Sequence, residues 1–258
     1  MAKAPRPGTV KTRLSPPLTP QQATDLSVCF LRDTAENIAS LAAGGGAGAL
    51  VAYTPVGEET AFEALLPEGF ALIAQRGDGF GERLLAAAQD ILGCGYGSVC
   101  LIDADSPTVP RAAFEQAVAE LARPGDRIVV GPAADGGYYL IGMKQAHPWL
   151  FDGVRWSTDT VRADTRERAA TAGIEVVELP MWYDVDDGAM LDLLKAELLA
   201  GMAPGFATLA GYAAPHTREF LLARDLTLNA ELAAKALDAA AIEDRKQSRP
   251  ADPEGLAE

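Results

Sequence analysis

The stretch Lys3-Ala4-Pro5-Arg6-Pro7-Gly8-Thr9-Val10-Lys11-Thr12-Arg13-Leu14 decides how the rest of the chain is read. The first fourteen residues hold four of the chain's 22 lysines and arginines and none of its 36 acids, although the whole chain carries a formal net charge of −14. Two prolines and a glycine forbid a regular helix here, which leaves a stiff, exposed loop. Its backbone N–H groups and cationic heads can converge on an anion, and phosphate is the natural candidate. On spacing alone, a solvated basic segment fits equally well.

Working outward, the next decisive stretch is Ser98-Val99-Cys100-Leu101-Ile102-Asp103, a nearly continuous apolar run that reads as a buried strand with an acid at its carboxyl end. Strands are also expected at 49–54, 70–75, 127–131, 138–143 and 174–179, and helices near 58–66, 82–92, 111–122, 157–172 and 187–200. A longer helix runs from Pro20 to about Ala43. It is opened by the capping-box pattern Thr19-Pro20-Gln21-Gln22 and stopped by Gly44-Gly45-Gly46. Such alternation predicts an α/β fold, a doubly wound and mostly parallel sheet spanning residues 1–203, with ligands at the carboxyl ends of the strands. A helical extension is expected over 204–242, with Ala-rich helices near 215–223 and 227–240, and a disordered tail over 243–258.

Composition narrows the function classes. A pI near 4.6 argues against a nucleic-acid partner, which needs a broad basic face, and suits a small phosphorylated ligand. No run of eighteen apolar residues and no leader pattern is present, so a soluble cytoplasmic protein without membrane contact is expected. Cys29, Cys94 and Cys100 are too few and too irregular for a disulfide framework or zinc site and read as reduced core residues.

Three further segments carry candidate chemistry. Asp103-Ala104-Asp105-Ser106-Pro107 leaves the apolar strand, where two carboxylates could hold Mg²⁺ or Mn²⁺ against a diphosphate, although Asp105 or Ser106 could equally cap the next helix. Gly131-Pro132-Ala133-Ala134-Asp135-Gly136-Gly137-Tyr138-Tyr139-Leu140 predicts a glycine turn, with Asp135 as a candidate general base. In Trp182-Tyr183-Asp184-Val185-Asp186-Asp187, Asp187 is placed to cap a helix, Asp186 to meet a metal, and Asp184 stands in reserve. His147 and His216 show no ligand spacing, and Trp156 reads as a core anchor.

Lys3, Ala4, Pro5, Pro7, Gly8, Val10, Lys11, Thr12, Arg13 and Leu14, together with the Gly131–Leu140 segment, resemble the signatures of a bacterial glycosyltransferase-A-like family of poorly defined function (the DUF2064 type). That family is related in fold to the molybdenum-cofactor and 2-phospholactate guanylyltransferases. The resemblance covers about residues 2–195. It implies a nucleotide-binding domain whose phosphate loop follows the first strand, and that strand is expected to be missing here, with translation starting upstream. It further implies that Lys3, Arg6, Gly8, Lys11, Arg13, Gln75, Asp78, Gly136 and Gly137 bind the nucleotide, with Gly81 and Arg83 in the same turn as Asp78. Asp103, Asp105 and Asp186 would hold Mg²⁺ or Mn²⁺, and Asp135 and Lys11 would be catalytic. Three functions are open at this point. One is glycosyl transfer from a nucleotide-diphosphate sugar to a small-molecule acceptor; the second is nucleotidyl transfer to a phosphorylated small molecule with loss of pyrophosphate; the third is an inactive nucleotide-binding scaffold.

Overall fold

The computed structural model describes residues 1–42 and 46–227, in two units that divide after Arg218. The first unit alternates as the sequence predicts: β1 (Ala2–Lys3), α1 (Pro20–Ala42), β2 (Leu50–Thr54), α2 (Thr60–Glu63), β3 (Ala71–Ala74), α3 (Phe80–Gly93), β4 (Val99–Ile102), α4 (Arg111–Ala122), β5 (Arg127–Pro132), β6 (Tyr138–Met143), α5 (Pro148–Phe151), α6 (Val161–Thr171), β7 (Glu175–Glu178) and α7 (Gly188–Ala200). The capping box of α1 forms in both directions: Gln22 N–H donates to Thr19 Oγ1 at 3.2 Å, and Thr19 N–H to Gln22 Oε1 at 2.9 Å. Helix α5 has no counterpart in the sequence reading, because four residues are too few for a helical period to register.

Two expectations change. The strand thought to be missing ahead of the basic loop is present in short form as β1, where Ala2 and Lys3 pair in parallel with Tyr53 and Thr54 of β2. The strands also form two sheets, β1-β2-β3 and β4-β6-β5-β7. The first is parallel throughout, whereas β6 runs antiparallel to both β4 and β5. The five-residue turn between β5 and β6 is too short for the crossover that parallel neighbours need. Two residues of β1 cannot bridge β2 to β4. The Met1 ammonium donates to the Ile102 carbonyl at 2.7 Å, and a cavity of about 240 Å³ lined by Leu31, Val51, Leu101 and Phe114 lies between the sheets.

Inside the second sheet, Val99, Leu101, Ile128, Val130, Ile141 and Met143 pack on Leu84, Ala88 and Ile91 of α3 and on Leu150 and Phe151 of α5. Burying side chains of this size stabilises the fold by roughly 1.5–3 kcal/mol each. On the first sheet, Ala2, Val51 and Tyr53 cluster with Leu31 and with Phe62 of α2. These cores hold the strand ends rigid, which matters for the site below.

Residues 204–218, expected to open a separate extension, belong with the first unit. Tyr212 N–H bonds the Thr108 carbonyl at 2.9 Å, and Asp33 accepts from His216 N–H and Thr217 N–H at 3.0 and 2.8 Å. The described part of the second unit, residues 219–227, is helical. The expected helix over 227–240 extends, beyond residue 227, outside the described residues, and the expected tail over 243–258 lies wholly outside them. Cys94 is exposed just past α3, which corrects its reading as a core residue; Cys29 and Cys100 are half-buried. Among the described residues no helix is long and apolar enough to cross a membrane.

Candidate active site

Strand polarity gathers the acids. Because β4, β5 and β7 share one direction, their carboxyl ends open on one edge of the sheet. After β7 the chain continues beside β5, with Trp182 N–H on the Pro132 carbonyl and Ala134 N–H on the Trp182 carbonyl, each at 2.9 Å. Val185 N–H then reaches the Asp105 carbonyl, also at 2.9 Å. The segment holding Asp184 and Asp186 is thereby fixed against the one holding Asp103 and Asp105.

Lys11 closes this arrangement from the basic loop. Its ammonium lies 2.7 Å from Asp105 Oδ1 and 3.0 Å from Asp186 Oδ1, and donates to the Val185 carbonyl at 2.8 Å. The side chain is only 5% exposed, with the Phe30 ring centroid 5.6 Å away. Burial by itself would lower its pKa, but Asp105 and Asp186 outweigh that cost and hold it above the ordinary lysine value. Arg13, 71% exposed, pairs with the other oxygen of Asp186. Of the remaining cations, Arg6 pairs with Glu58 outside the loop, and Lys3 donates back to the Thr9 carbonyl at 3.0 Å. Gly8 takes a φ of 75° in the turn that Thr9 closes onto the Arg6 carbonyl. A cleft of about 280 Å³ lies between loop and acids, lined by Lys3, Thr9, Lys11, Arg13, Asp105 and Asp186 among others. The loop therefore meets the strand-end acids, as expected, yet three cations expected to face phosphate, Arg6, Lys11 and Arg13, are paired with carboxylates.

The acids are crowded. Burial, and then the charge of Asp105, pushes Asp103 up to about 7. Asp184 is pushed up to about 6 by burial, followed by the charges of Asp135 and Asp186. Asp103 spends both oxygens on its own turn, accepting from Asp105 N–H at 3.1 Å and from Ser106 Oγ at 3.0 Å. Neither Asp105 nor Ser106 caps the next helix, because α4 starts after Pro110 with no side-chain cap, which corrects that reading; Asp105 and Asp186, without Asp103, face a common cation. For a hard divalent ion the donor chemistry fits: two carboxylate oxygens and a backbone carbonyl are already arranged about one positive charge.

Other candidates fall at varying distances from this centre. Asp135 is exposed on the β5–β6 turn and accepts from Gly137 N–H at 2.8 Å, so the glycine turn forms as predicted. Gly136 holds a φ of 94°, and a Cβ there would sit 2.2 Å from the Asp159 carbonyl oxygen. Gln75 uses its amide protons on the Ala52 and Ala2 carbonyls, at 2.8 and 3.3 Å, and so ties β1 to β2. Asp78 is exposed ahead of α3, where Glu82 accepts its N–H and Arg83 donates to its carbonyl. Trp156 is half-buried against Phe80, Tyr138 and Phe151. Asp187 caps α7 by accepting from Met190 N–H at 3.0 Å.

One grouping was invisible in the sequence. Among the described residues, Asp33, Glu36 and His216 form the group of three whose donor atoms lie within 4.8 Å of one another. His216 is 180 residues beyond Glu36 in the chain, and no local spacing could announce the group. Both Asp33 oxygens are engaged by N–H groups at the start of a helix, and His216 Nε2 lies 2.7 Å from Glu36, so the group acts as a structural tie.

The model of a family described as "Uncharacterized protein conserved in bacteria (DUF2064)" matches residues 37–158. The chain is also 32% identical to a protein from Desulfovibrio desulfuricans G20 described as a "putative nucleotide-diphospho-sugar transferase", with a TM-score of 0.70 over 85% of this chain and 95% of that one. The chain belongs to this DUF2064 family. The fold is also similar, at 16% identity and a TM-score of 0.46, to CMP:2-keto-3-deoxy-manno-octonic acid synthetase complexed with CTP, across 67% of this chain and 88% of that one. No curated protein matches. The residues that resemble family signatures lie after β1 of the first sheet, around Lys11, and between β5 and β6 of the second, around Asp135.

Proposed function

We propose that the protein is a divalent-metal-dependent transferase that takes a nucleotide-diphosphate sugar and moves its glycosyl group to a small acceptor. One observation carries this reading: Lys11 bridges Asp105 and Asp186, so that the phosphate-loop candidate and two strand-end acids face one cleft. The 32% identical relative, described as a transferase of this kind, supports it. Asp105 and Asp186 would hold Mg²⁺ or Mn²⁺, with Asp184 and Asp103 close behind. Bound there, the ion would offset the charge that accumulates on a departing diphosphate. Lys3, Thr9, Lys11 and Arg13 line the side of the cleft where phosphates would lie, and would orient them. Asp135, exposed on its glycine turn, would accept a proton from the acceptor hydroxyl.

A second reading, nucleotidyl transfer, is favoured by the density of cations in residues 3–13, since triphosphate binding rewards such a loop. Incubation with Mg²⁺ or Mn²⁺ and panels of nucleotide sugars and nucleoside triphosphates separates the two. Release of nucleoside diphosphate supports glycosyl transfer, and release of pyrophosphate supports nucleotidyl transfer. Binding without either product would sink both and leave a scaffold.

A further inference from the structure

Lys11 is an unusual partner for the two carboxylates proposed to hold a metal. Its three ammonium protons meet three oxygens, Asp105 Oδ1, Asp186 Oδ1 and the Val185 carbonyl, at 2.7, 3.0 and 2.8 Å. All its hydrogen-bonding capacity is used, and almost none of the side chain reaches water. The backbone beneath it is not relaxed: Lys11 has a φ of 48°, in the left-handed region that residues with side chains enter rarely. A basic loop that served only to wait for phosphate would leave its lysine in solvent.

We infer that Lys11 is a built-in counter-cation which occupies the divalent-ion position in the free protein and must leave before the ion can bind. The inference rests on the metal-dependent reading above and goes beyond it by making loop and ion competitors. The physical reason is exclusion. An Mg²⁺ or Mn²⁺ ion held by these carboxylates would need the oxygens that the ammonium now occupies, and two cations repel at such range. The expelled lysine has a place to go, because the cleft beside it is the proposed phosphate site. An incoming diphosphate replaces the acceptors that Lys11 gives up. Metal and nucleotide therefore bind cooperatively, and each raises the other's affinity by the same factor. Without a nucleotide the site's own lysine competes with the metal and weakens its binding.

Mn²⁺ binding, measured by electron paramagnetic resonance on the full chain and on Lys11→Met, tests this. The variant is expected to bind Mn²⁺ at least about tenfold more tightly when no nucleotide is present, since the competitor is gone while the donors remain. Enhancement of Mn²⁺ binding by ADP, CDP, GDP or UDP should shrink in the variant by a similar factor. In the wild-type protein, Lys11 should resist acylation, scored by mass spectrometry, and lose that protection when Mn²⁺ alone is added at saturating concentration. This second measurement decides the matter if Lys11→Met does not fold. Equal or weaker Mn²⁺ binding by the variant, or unchanged protection of Lys11 in Mn²⁺-loaded protein, overturns the inference while leaving metal-dependent transfer standing. Absence of Mn²⁺ binding to either protein, with every nucleotide, overturns both.

Discussion

Val185 donates its backbone N–H to the carbonyl of Asp105 at 2.9 Å. This bond joins the loop leaving β4 to the loop entering α7 and fixes the spacing of Asp105 and Asp186 independently of their side chains. Substitutions at either carboxylate should therefore alter chemistry more than architecture.

Asp105→Asn keeps the backbone bond and the shape but removes a charge from the cation position. Metal-stimulated turnover is expected to fall by roughly 10²-fold or more, since charge stabilisation at such a centre is worth several kcal/mol. The fold should persist with a lower thermal midpoint, because the buried Lys11 ammonium keeps only one anionic partner. Survival of turnover would place the ion elsewhere, with Asp184 the next residue to examine.

Asp135→Ala removes the exposed carboxylate proposed to take the acceptor's proton. If Asp135 is the base, kcat drops by about 10² to 10⁴ while the KM for the nucleotide sugar hardly moves. A variant affected only in donor KM would instead make Asp135 a nucleotide contact. Circular dichroism checks that the turn, which loses the bond from Gly137 N–H, is still formed.

Gly136→Ala meets two obstacles at once, a φ of 94° and the Asp159 carbonyl oxygen 2.2 Å from the new Cβ. We expect a loss of roughly 1–3 kcal/mol in urea unfolding, from backbone strain alone, and more if the 153–160 segment cannot shift. Unchanged stability would mean that this segment yields freely.

Asp33 gives a pH dependence whose sign can be worked out. Burial raises its pKa above the ordinary 3.8, against the lowering by its bonds from Thr217 and His216. The native chain thus keeps this proton to higher pH than the unfolded chain, so this group's contribution to stability is largest below 3.8 and declines as pH rises through the native value. Glu36 and His216 face it but remain in Asp33→Asn. The stability advantage of wild type over Asp33→Asn should therefore shrink as pH increases from about 3.8. Urea unfolding across a pH series measures it, and a difference that does not vary with pH counts against the assignment.

Much of this protein is legible in its sequence. Apolar runs of four to six residues separated by capped helices dictate strands and helices, and the limits of α4 and β6 fall where periodicity and turn residues put them. The capping box at Thr19 and the cap at Asp187 are local chemistry and need no tertiary information. The segments around Lys11 and Asp135, which resemble family signatures, are likewise read from contiguous residues. Sequence could not supply what depends on distance through space. The antiparallel β6, the division into two sheets, the tie between Asp33 and His216 and the turn of Asp103 onto its own backbone each follow from how elements pack. The same is true of the Lys11 ammonium: a spacing of 175 residues to Asp186 carries no local signal. Its environment was set only when parallel strands brought their carboxyl ends to one edge and buried charge had to find its opposite.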